Sequence, residues 1–148
     1  MNGPARNCPL VHVSVAVTDE RGRLLLVQEE KPDCRGQWNL PGGHMDRGES
    51  IVAGAERELR EETHVTLRIE SLIAVFSGPT AIRFVFGAPL GHQTPRAGHE
   101  ILDVRMVAID ELRSMGDAEL CSPHALRDVA DRLQRSVRFP IESFVHFV

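Results

Sequence analysis

Residues 43–65 read GHMDRGESIVAGAERELREETHV and contain the most informative pattern of the chain. The second part of this stretch, residues 50–63, contains no proline, and Ile51, Ala55 and Leu59 recur four residues apart. This spacing places three apolar side chains on one face of an α-helix. The stretch therefore predicts a loop followed by a helix that packs against a core.

Three glutamates of this helix, called the helix glutamates below, are Glu58, Glu61 and Glu62. At i, i+3 and i+4 they share one stripe of the helix surface, where their charges repel unless a cation binds. Hard carboxylate oxygens suit Mg²⁺, with Mn²⁺ as a substitute, so the stripe predicts a divalent metal site. The alternative is a solvated acidic face on which Arg57 and Arg60 screen the glutamates.

The spacing of residues outside the helix distinguishes the metal site from the solvated acidic face. Gly43 is followed after five residues by Glu49, after seven more by RELREE at 57–62, and then after two by Val65. This resembles the signature of the Nudix hydrolase family, G-x5-E-x7-R-E-U-x-E-E-x-G-U with U aliphatic, and eight of its nine specified positions match. Residues 36–43, GQWNLPGG, also resemble the sequence that usually leads into this motif in the family.

His64 is the one departure, because the signature has Gly there. A Gly after a helix usually adopts the left-handed conformation, in which His costs about 1 kcal/mol. We therefore expect a cost in stability rather than a lost ligand. The alternative is a displaced Glu62 and a site that binds nucleotides without turnover.

The resemblance implies hydrolysis of a phosphoanhydride bond, in which a water activated by Mg²⁺ attacks phosphorus. The metal ligands that it implies are Glu58, Glu61, Glu62 and the backbone of Gly43. Arg57 would pair with Glu49 and brace the loop against the helix. Glu100 occupies the place of a further glutamate that the family uses as a base or an extra ligand.

The rest of the chain predicts a mixed sheet. Strands are predicted at residues 11–17, 24–27, 72–76, 82–86 and 105–109, the first two forming a hairpin. Residues 31–48 predict a structured loop, Asp110 a cap for a short helix, and Ser122 a cap for a longer one. We expect one domain, residues 1–148, with the α/β architecture of a Nudix-like α/β/α sandwich around a mixed central sheet.

Composition excludes several classes of protein. The net charge of -4 does not favour binding to a nucleic acid polymer. No apolar run approaches the roughly 20 residues of a membrane helix, and residues 1–9 lack the layout of a signal peptide, so we expect a cytoplasmic protein that does not bind membranes.

Three phenylalanines in residues 137–148 either close the core or form a homodimer contact.

The three cysteines, Cys8, Cys34 and Cys121, fit neither a disulfide framework nor a CxxC zinc site. We therefore expect three unpaired thiols. No GxxxxGK[ST] run and no GxSxG run occurs, which argues against a P-loop enzyme and a serine hydrolase.

Specificity is expected outside the motif, because the motif meets only the diphosphate and its metals. The candidate substrate contacts are Trp38, Arg83 and Phe84; core packing or a solvated strand face would also explain them. The implied substrate is a nucleoside diphosphate linked to another moiety X, including nucleoside di- and triphosphates and oxidised purine forms. The alternatives are ADP-ribose or a related nucleotide sugar, and a nucleotide-sensing module without turnover.

Overall fold

The computed structural model describes residues 8–147, which contain eight strands and three α-helices. The strands are Leu10–Thr18 (β1), Leu24–Glu29 (β2), Trp38–Asn39 (β3), Gly42–His44 (β4), Ser71–Ser77 (β5), Ala81–Pro89 (β6), Ile101–Val107 (β7) and Phe139–Pro140 (β8). The helices are Ile51–Thr63 (α1), Ile109–Ser114 (α2) and Pro123–Gln134 (α3). Within this part of the chain, none of the helices is both long and apolar enough to cross a membrane.

The sheet is mixed and has β1 at its centre. β1 runs parallel to β6 along its whole length, from Leu10 opposite Ala81 to Thr18 opposite Pro89. It is antiparallel to β2, where Thr18 lies opposite Leu24, and to β4. β2 is antiparallel to β3 and β7, and β5 is antiparallel to β6. This pairing confirms both the predicted hairpin and the predicted mixed sheet.

Helices cover both faces of the sheet. On one face, Ala55 and Leu59 of α1 belong to the same buried cluster as Leu25 of β2. On the other face, Leu126 of α3 belongs to the same cluster as Leu24. Adjacent strand residues point to opposite faces, so β2 contributes to both layers. The α/β/α sandwich is therefore confirmed.

Some boundaries differ from the sequence prediction. β7 covers Ile101–Val107 rather than 105–109, because it pairs along the whole length of β2. Ile109 instead begins α2, so that Asp110 lies in its first turn and not at the cap. The loop predicted at 31–48 contains the short strands β3 and β4. These features depend on partners distant in sequence, which local patterns do not reveal.

The C-terminal segment contributes one aromatic ring to the core. Phe144 packs edge-on against Phe84 and Phe86, with ring centroids 5.8 and 5.2 Å away. Phe139 and Phe147 are exposed. Core closure, one of the two interpretations of this segment, therefore holds for Phe144.

The prediction of three unpaired thiols is wrong for two cysteines. Cys34 and Cys121 form a disulfide, with Cα atoms 5.7 Å apart and a separation of 87 residues in sequence. The amide of Cys121 donates to the carbonyl of Trp38 at 2.9 Å, which brings the segment before α3 next to the loop after β2. Cys8 is an exposed free thiol. Spacing along the chain could not show a contact that strand pairing creates.

A thiol reagent is expected to detect one thiol per denatured chain, that of Cys8, and three after reduction. Because the disulfide closes a long loop, replacing both Cys34 and Cys121 by Ser should lower the free energy of unfolding by about 2–4 kcal/mol in urea denaturation. Cys8→Ser is the control and should leave stability unchanged. Three reactive thiols before reduction would contradict the disulfide.

Candidate active site

α1 begins and ends as its sequence requires. The Ser50 hydroxyl accepts the N–H of Ala53 at 3.1 Å and caps the helix. His64 ends it in the left-handed conformation, with φ 60° and ψ 15°, and donates its N–H to the carbonyl of Arg60 at 2.9 Å. His64 therefore takes the conformation for which the signature has Gly. The helix stays intact up to Glu62, so the alternative of a displaced glutamate is not supported.

His64→Gly is expected to raise the free energy of unfolding by about 1 kcal/mol, because Gly adopts the left-handed conformation without the Cβ strain. Urea denaturation measures the gain. His64→Ala is the matched control: it removes the imidazole but keeps Cβ, so it should gain little. An equal gain in both variants would show that the imidazole, not the backbone, carries the cost.

Arg57 ties α1 to the preceding loop. Its Nε and Nη2 donate to the two Glu49 oxygens, each at 2.9 Å, and Nη2 also donates to the carbonyl of His44 at 3.1 Å. Glu49 Oε1 additionally accepts the N–H of Asp46 at 2.7 Å. The Arg57 hydrogen bonds hold the pKa of Glu49 below its ordinary value. The structure thus contains the Glu49–Arg57 contact that the resemblance implied.

The third nitrogen of Arg57 faces two of the helix glutamates. Nη1 donates to Glu58 Oε1 at 3.2 Å and to Glu61 Oε2 at 3.0 Å. Glu58 also lies against Gly43, where a Cβ atom would approach its carboxyl carbon to 2.6 Å. Burial raises the pKa of Glu58, while Arg57 opposes the rise. The close approach of Glu58 explains why position 43 lacks a side chain.

Glu62 is the buried helix glutamate, with only 2% of its surface exposed. Its Oε2 accepts the N–H of Gly42 at 3.0 Å, and its Oε1 has no hydrogen-bonding partner among residues 8–147. Burial raises the pKa of Glu62 to about 8; the Gly42 N–H lowers it and the charge of Glu29 raises it further. A buried carboxylate oxygen that accepts no hydrogen bond is stabilised when a cation lies beside it.

Two side chains from other loops meet beside Glu62. Lys31 Nζ lies 3.6 Å from Glu62 Oε1 and 4.0 Å from Glu100 Oε2. Glu100 is held there because Gly98 donates its N–H to the carbonyl of Glu62 at 2.8 Å. Although burial alone lowers the pKa of Lys31, the surrounding carboxylates raise it above its ordinary value. Glu100 thus lies at the edge of the helix glutamates, with Lys31 between.

The helix glutamates do not converge as a preformed metal cluster. Across the described part of the chain, no three acidic, histidine or cysteine side chains are close enough together to hold an ion. Arg57 draws Glu58 and Glu61 towards itself, and Lys31 faces Glu62, so each carboxylate has a positive partner. The donor set still fits a hard divalent cation, because three carboxylates share one helix end and Glu62 Oε1 is buried without a hydrogen bond.

A pocket of about 190 Å³ is lined by Lys31, Gly42 and Gly43, which contact Glu62 and Glu58. Asn39 donates to Glu29 Oε1 at 3.3 Å on its buried wall, and Glu29 Oε2 has no partner within residues 8–147. Burial raises the pKa of Glu29, although Lys31 opposes the rise. Arg83 and His12 line the same pocket and also a neighbouring one. Hydrogen-bond donors and acceptors therefore line this cavity.

Two of the three predicted substrate contacts lie elsewhere. Trp38 precedes Asn39 in β3 and points the other way, where it packs against the core and lies 5.5 Å from the guanidinium of Arg105. Phe84 follows Arg83 in β6 and packs in the core on the α1 face. Neither Trp38 nor Phe84 lines this pocket, because adjacent strand residues face opposite sides, so a contact of either residue with the substrate stays a prediction. Arg83 does line the pocket.

Comparison with known proteins agrees with this arrangement. A sequence profile of the NUDIX domain matches residues 9–129, which is most of the chain. The chain belongs to the Nudix family. The phosphatase NudJ of Escherichia coli K12 is 32% identical over 145 residues, covering 92% of this chain and 92% of that protein. A NUDIX hydrolase from Nitrosomonas europaea superposes with a TM-score of 0.81 at 25% identity, over 95% of this chain and 98% of that one.

A further Nudix relative matches over a shorter region. The 8-oxo-dGDP phosphatase NUDT18 of Homo sapiens is 46% identical over 68 residues, which are 45% of this chain. The matched region spans only 21% of that relative's length. The match therefore supports the motif region and does not by itself transfer the activity of the whole relative.

Four further residues of this Nudix site have little or no signal in the sequence. They are His12, Glu29, Lys31 and Asn39. Glu29 carried a signal, because it lies in the same strand as the apolar residues 24–27 and charged residues are rarely buried without a reason. Lys31 also stands out in the sequence, because it is the single lysine of the chain. His12 and Asn39 carried no distinctive local pattern.

Proposed function

We propose that this Nudix protein hydrolyses a phosphoanhydride bond in a nucleoside diphosphate linked to another moiety X. The observation that carries the proposal is the buried Glu62, whose Oε1 has no hydrogen-bonding partner in the described chain. A buried carboxylate of this kind costs stability unless a cation pairs with it. Its position beside Glu58 and Glu61 supports a site that binds a metal together with phosphate.

Magnesium, when bound, neutralises phosphate oxygens and lowers the pKa of the attacking water. The helix glutamates would hold the ion, with the backbone of Gly43 alongside. Arg57 orients Glu58 and Glu61 and keeps the loop against α1. Glu100, on the far side of Lys31, is proposed as the further carboxylate that accepts a proton from water.

The pocket favours a nucleoside as the non-reacting part of the substrate. Glu29 and Asn39 offer an acceptor and a donor at its wall, and Arg83 adds donors from β6. The name of the human relative, 8-oxo-dGDP phosphatase, supports an oxidised purine nucleotide among the substrates. We therefore propose nucleoside di- and triphosphates, including oxidised purine forms, ahead of ADP-ribose or a related nucleotide sugar.

Product release from a panel of nucleotides tests the proposal. The panel contains dGDP, 8-oxo-dGDP, both triphosphates, ADP-ribose and a dinucleoside polyphosphate, each with Mg²⁺ or Mn²⁺. One class should turn over, and Glu62→Gln should be inactive. Glu56→Gln is the matched control on the same helix, because Gln can still accept the N–H of Ile69 that Glu56 accepts at 3.1 Å. Nucleotide binding without turnover of any compound would instead indicate a sensing module.

The metal ion, the binding partner and the cellular compartment of this protein are part of the same proposal. We propose Mg²⁺ as the ion, and a small nucleotide as the partner in place of a nucleic acid polymer, given the net charge of -4. A homodimer stays a prediction for sedimentation analysis. We propose the cytoplasm as the compartment, where disulfides are uncommon. In that compartment the Cys34–Cys121 disulfide of the isolated protein should form only after cell lysis, so rapid alkylation of intact cells should trap both cysteines as thiols, and a disulfide already present in the cells would contradict this location.

A further inference from the structure

The single lysine of the chain lies at the proposed active site. Of the 17 lysine and arginine residues, only Lys31 is a lysine. Elsewhere the chain pairs carboxylates with arginine, as in the two hydrogen bonds from Arg57 to Glu49. Arginine fixes a carboxylate through a planar fork, whereas lysine is a point charge on a flexible stem. A lysine at this position therefore supplies a charge that can change partners.

Lys31 lies between the carboxylates and the pocket. Its Nζ is 3.6 Å from Glu62 Oε1 and 4.0 Å from Glu100 Oε2, and its side chain is 40% exposed. Both distances exceed hydrogen-bond length, so the ammonium is attracted to these oxygens without being locked to them. The same side chain lines the pocket that contains Arg83. It is thus in reach of both ends of a bound nucleotide.

The backbone that carries Lys31 is held on both sides. The preceding residue, Glu30, donates its N–H to the carbonyl of Glu100 at 3.0 Å. Three residues further on, the disulfide joins Cys34 to Cys121. The base of the side chain is therefore fixed while its charged end is free to move, which is the arrangement expected of a residue that exchanges one anion for another.

We propose that Lys31 binds the diphosphate of the substrate, and that its ammonium moves from Glu62 to phosphate when a divalent cation pairs with that carboxylate. This inference rests on the proposed function. A nucleotide with its base in the pocket and its phosphates at the helix glutamates must pass Lys31. Lys31 and Arg83 carry the permanent positive charges of the pocket lining, and Lys31 is the one that also faces Glu62.

The single lysine permits a direct measurement without turnover. Reductive methylation with ¹³C-formaldehyde keeps the charge and labels one side-chain amine beside the N-terminal amine, and the NMR spectrum of Lys31→Arg identifies the Lys31 signal. Mg²⁺ alone is expected to shift this signal. Methylenediphosphonate, a diphosphate analogue that cannot be hydrolysed, should shift it again in the presence of Mg²⁺. Absence of the second shift would overturn the proposal.

Variants give an independent measurement by calorimetry. Lys31→Met should bind methylenediphosphonate with Mg²⁺ about tenfold more weakly, as expected for the loss of one charge-assisted contact, and Mn²⁺ alone more tightly. Lys31→Arg should retain most of the diphosphonate affinity. Arg35→Met is the matched control, because Arg35 donates to the carbonyl of Glu30 in the same loop but does not line the pocket.

The outcomes separate this inference from the proposed function. If Lys31→Met binds methylenediphosphonate as tightly as the wild-type protein does, Lys31 is only a counter-ion of Glu62. This result would overturn the inference, whether or not the protein hydrolyses nucleotides. Weakened binding and a shifted Lys31 signal in a protein that hydrolyses no nucleotide would support the inference and overturn the proposed function. Because the NMR measurement keeps the lysine and its charge, it decides the matter even if Lys31→Met does not fold.

Discussion

Glu62→Gln is expected to abolish turnover and, in EDTA, to make the protein more stable. The rate should fall on the order of a hundredfold or more, because the charge stabilisation supplied by a metal ion is several kcal/mol and each 1.4 kcal/mol is tenfold. Stability should rise because Gln still accepts the Gly42 N–H while the buried charge disappears. We expect a gain of about 2 kcal/mol at pH 8 in urea denaturation.

The pH dependence of this gain follows from the raised pKa of Glu62. Burial raises that pKa from 4.5 to about 8, so the folded protein favours the neutral carboxyl group. The resulting stability is fully present below the ordinary pKa and is lost as the pH rises towards 8. Wild-type protein and Glu56→Gln should therefore both lose stability between pH 5.5 and 8 in EDTA, and Glu62→Gln should not. A Glu62→Gln protein less stable than wild type at pH 8 would contradict the buried-charge account.

Arg57→Gln is expected to lower both stability and activity. Arg57 donates to Glu49, Glu58, Glu61 and the carbonyl of His44, so its loss leaves partly buried carboxylates without their partner. The free energy of unfolding should fall by about 2 kcal/mol, as for lost hydrogen bonds to charged groups. The turnover rate should fall by about 10- to 100-fold, as for residues that orient metal ligands.

Arg60→Gln is the matched control for Arg57→Gln. Arg60 is an exposed arginine three residues further along α1. Urea denaturation and turnover at saturating Mg²⁺ should place Arg60→Gln close to wild type. Equal losses in the two variants would show that helix charge in general, and not the contacts of Arg57, supports the site.

The helix glutamates could be placed from the sequence because they lie on one continuous element. Once residues 51–63 form a helix, the i, i+3, i+4 spacing fixes the relative positions of Glu58, Glu61 and Glu62. The strain at His64 could also be anticipated, because a left-handed residue after a helix is a local requirement. The resemblance added the pairing of Glu49 with Arg57, which spacing alone did not indicate.

The pocket and the disulfide could not be placed, because their residues meet only through the sheet. Whether Trp38 or Asn39 faces the pocket depends on the register of a strand of two residues, and a shift by one residue exchanges the faces. Cys34 meets Cys121 only after β3 pairs with the segment before α3. Lys31 likewise meets Glu62 only because the loop after β2 folds over the end of α1.

³¹P NMR of a nucleoside diphosphate mixed with the wild-type protein distinguishes a hydrolase from a nucleotide sensor. After addition of Mg²⁺, the account predicts that the two resonances of the diphosphate give way to those of a nucleoside monophosphate and orthophosphate, and that EDTA stops the change. With 8-oxo-dGDP, dGDP and ADP-ribose as successive substrates, at least one should be consumed, and ADP-ribose would give AMP and ribose 5-phosphate instead of a monophosphate and orthophosphate. Unchanged spectra for all of them at saturating Mg²⁺, with nucleotide binding still detected, would contradict a hydrolase and indicate a nucleotide sensor.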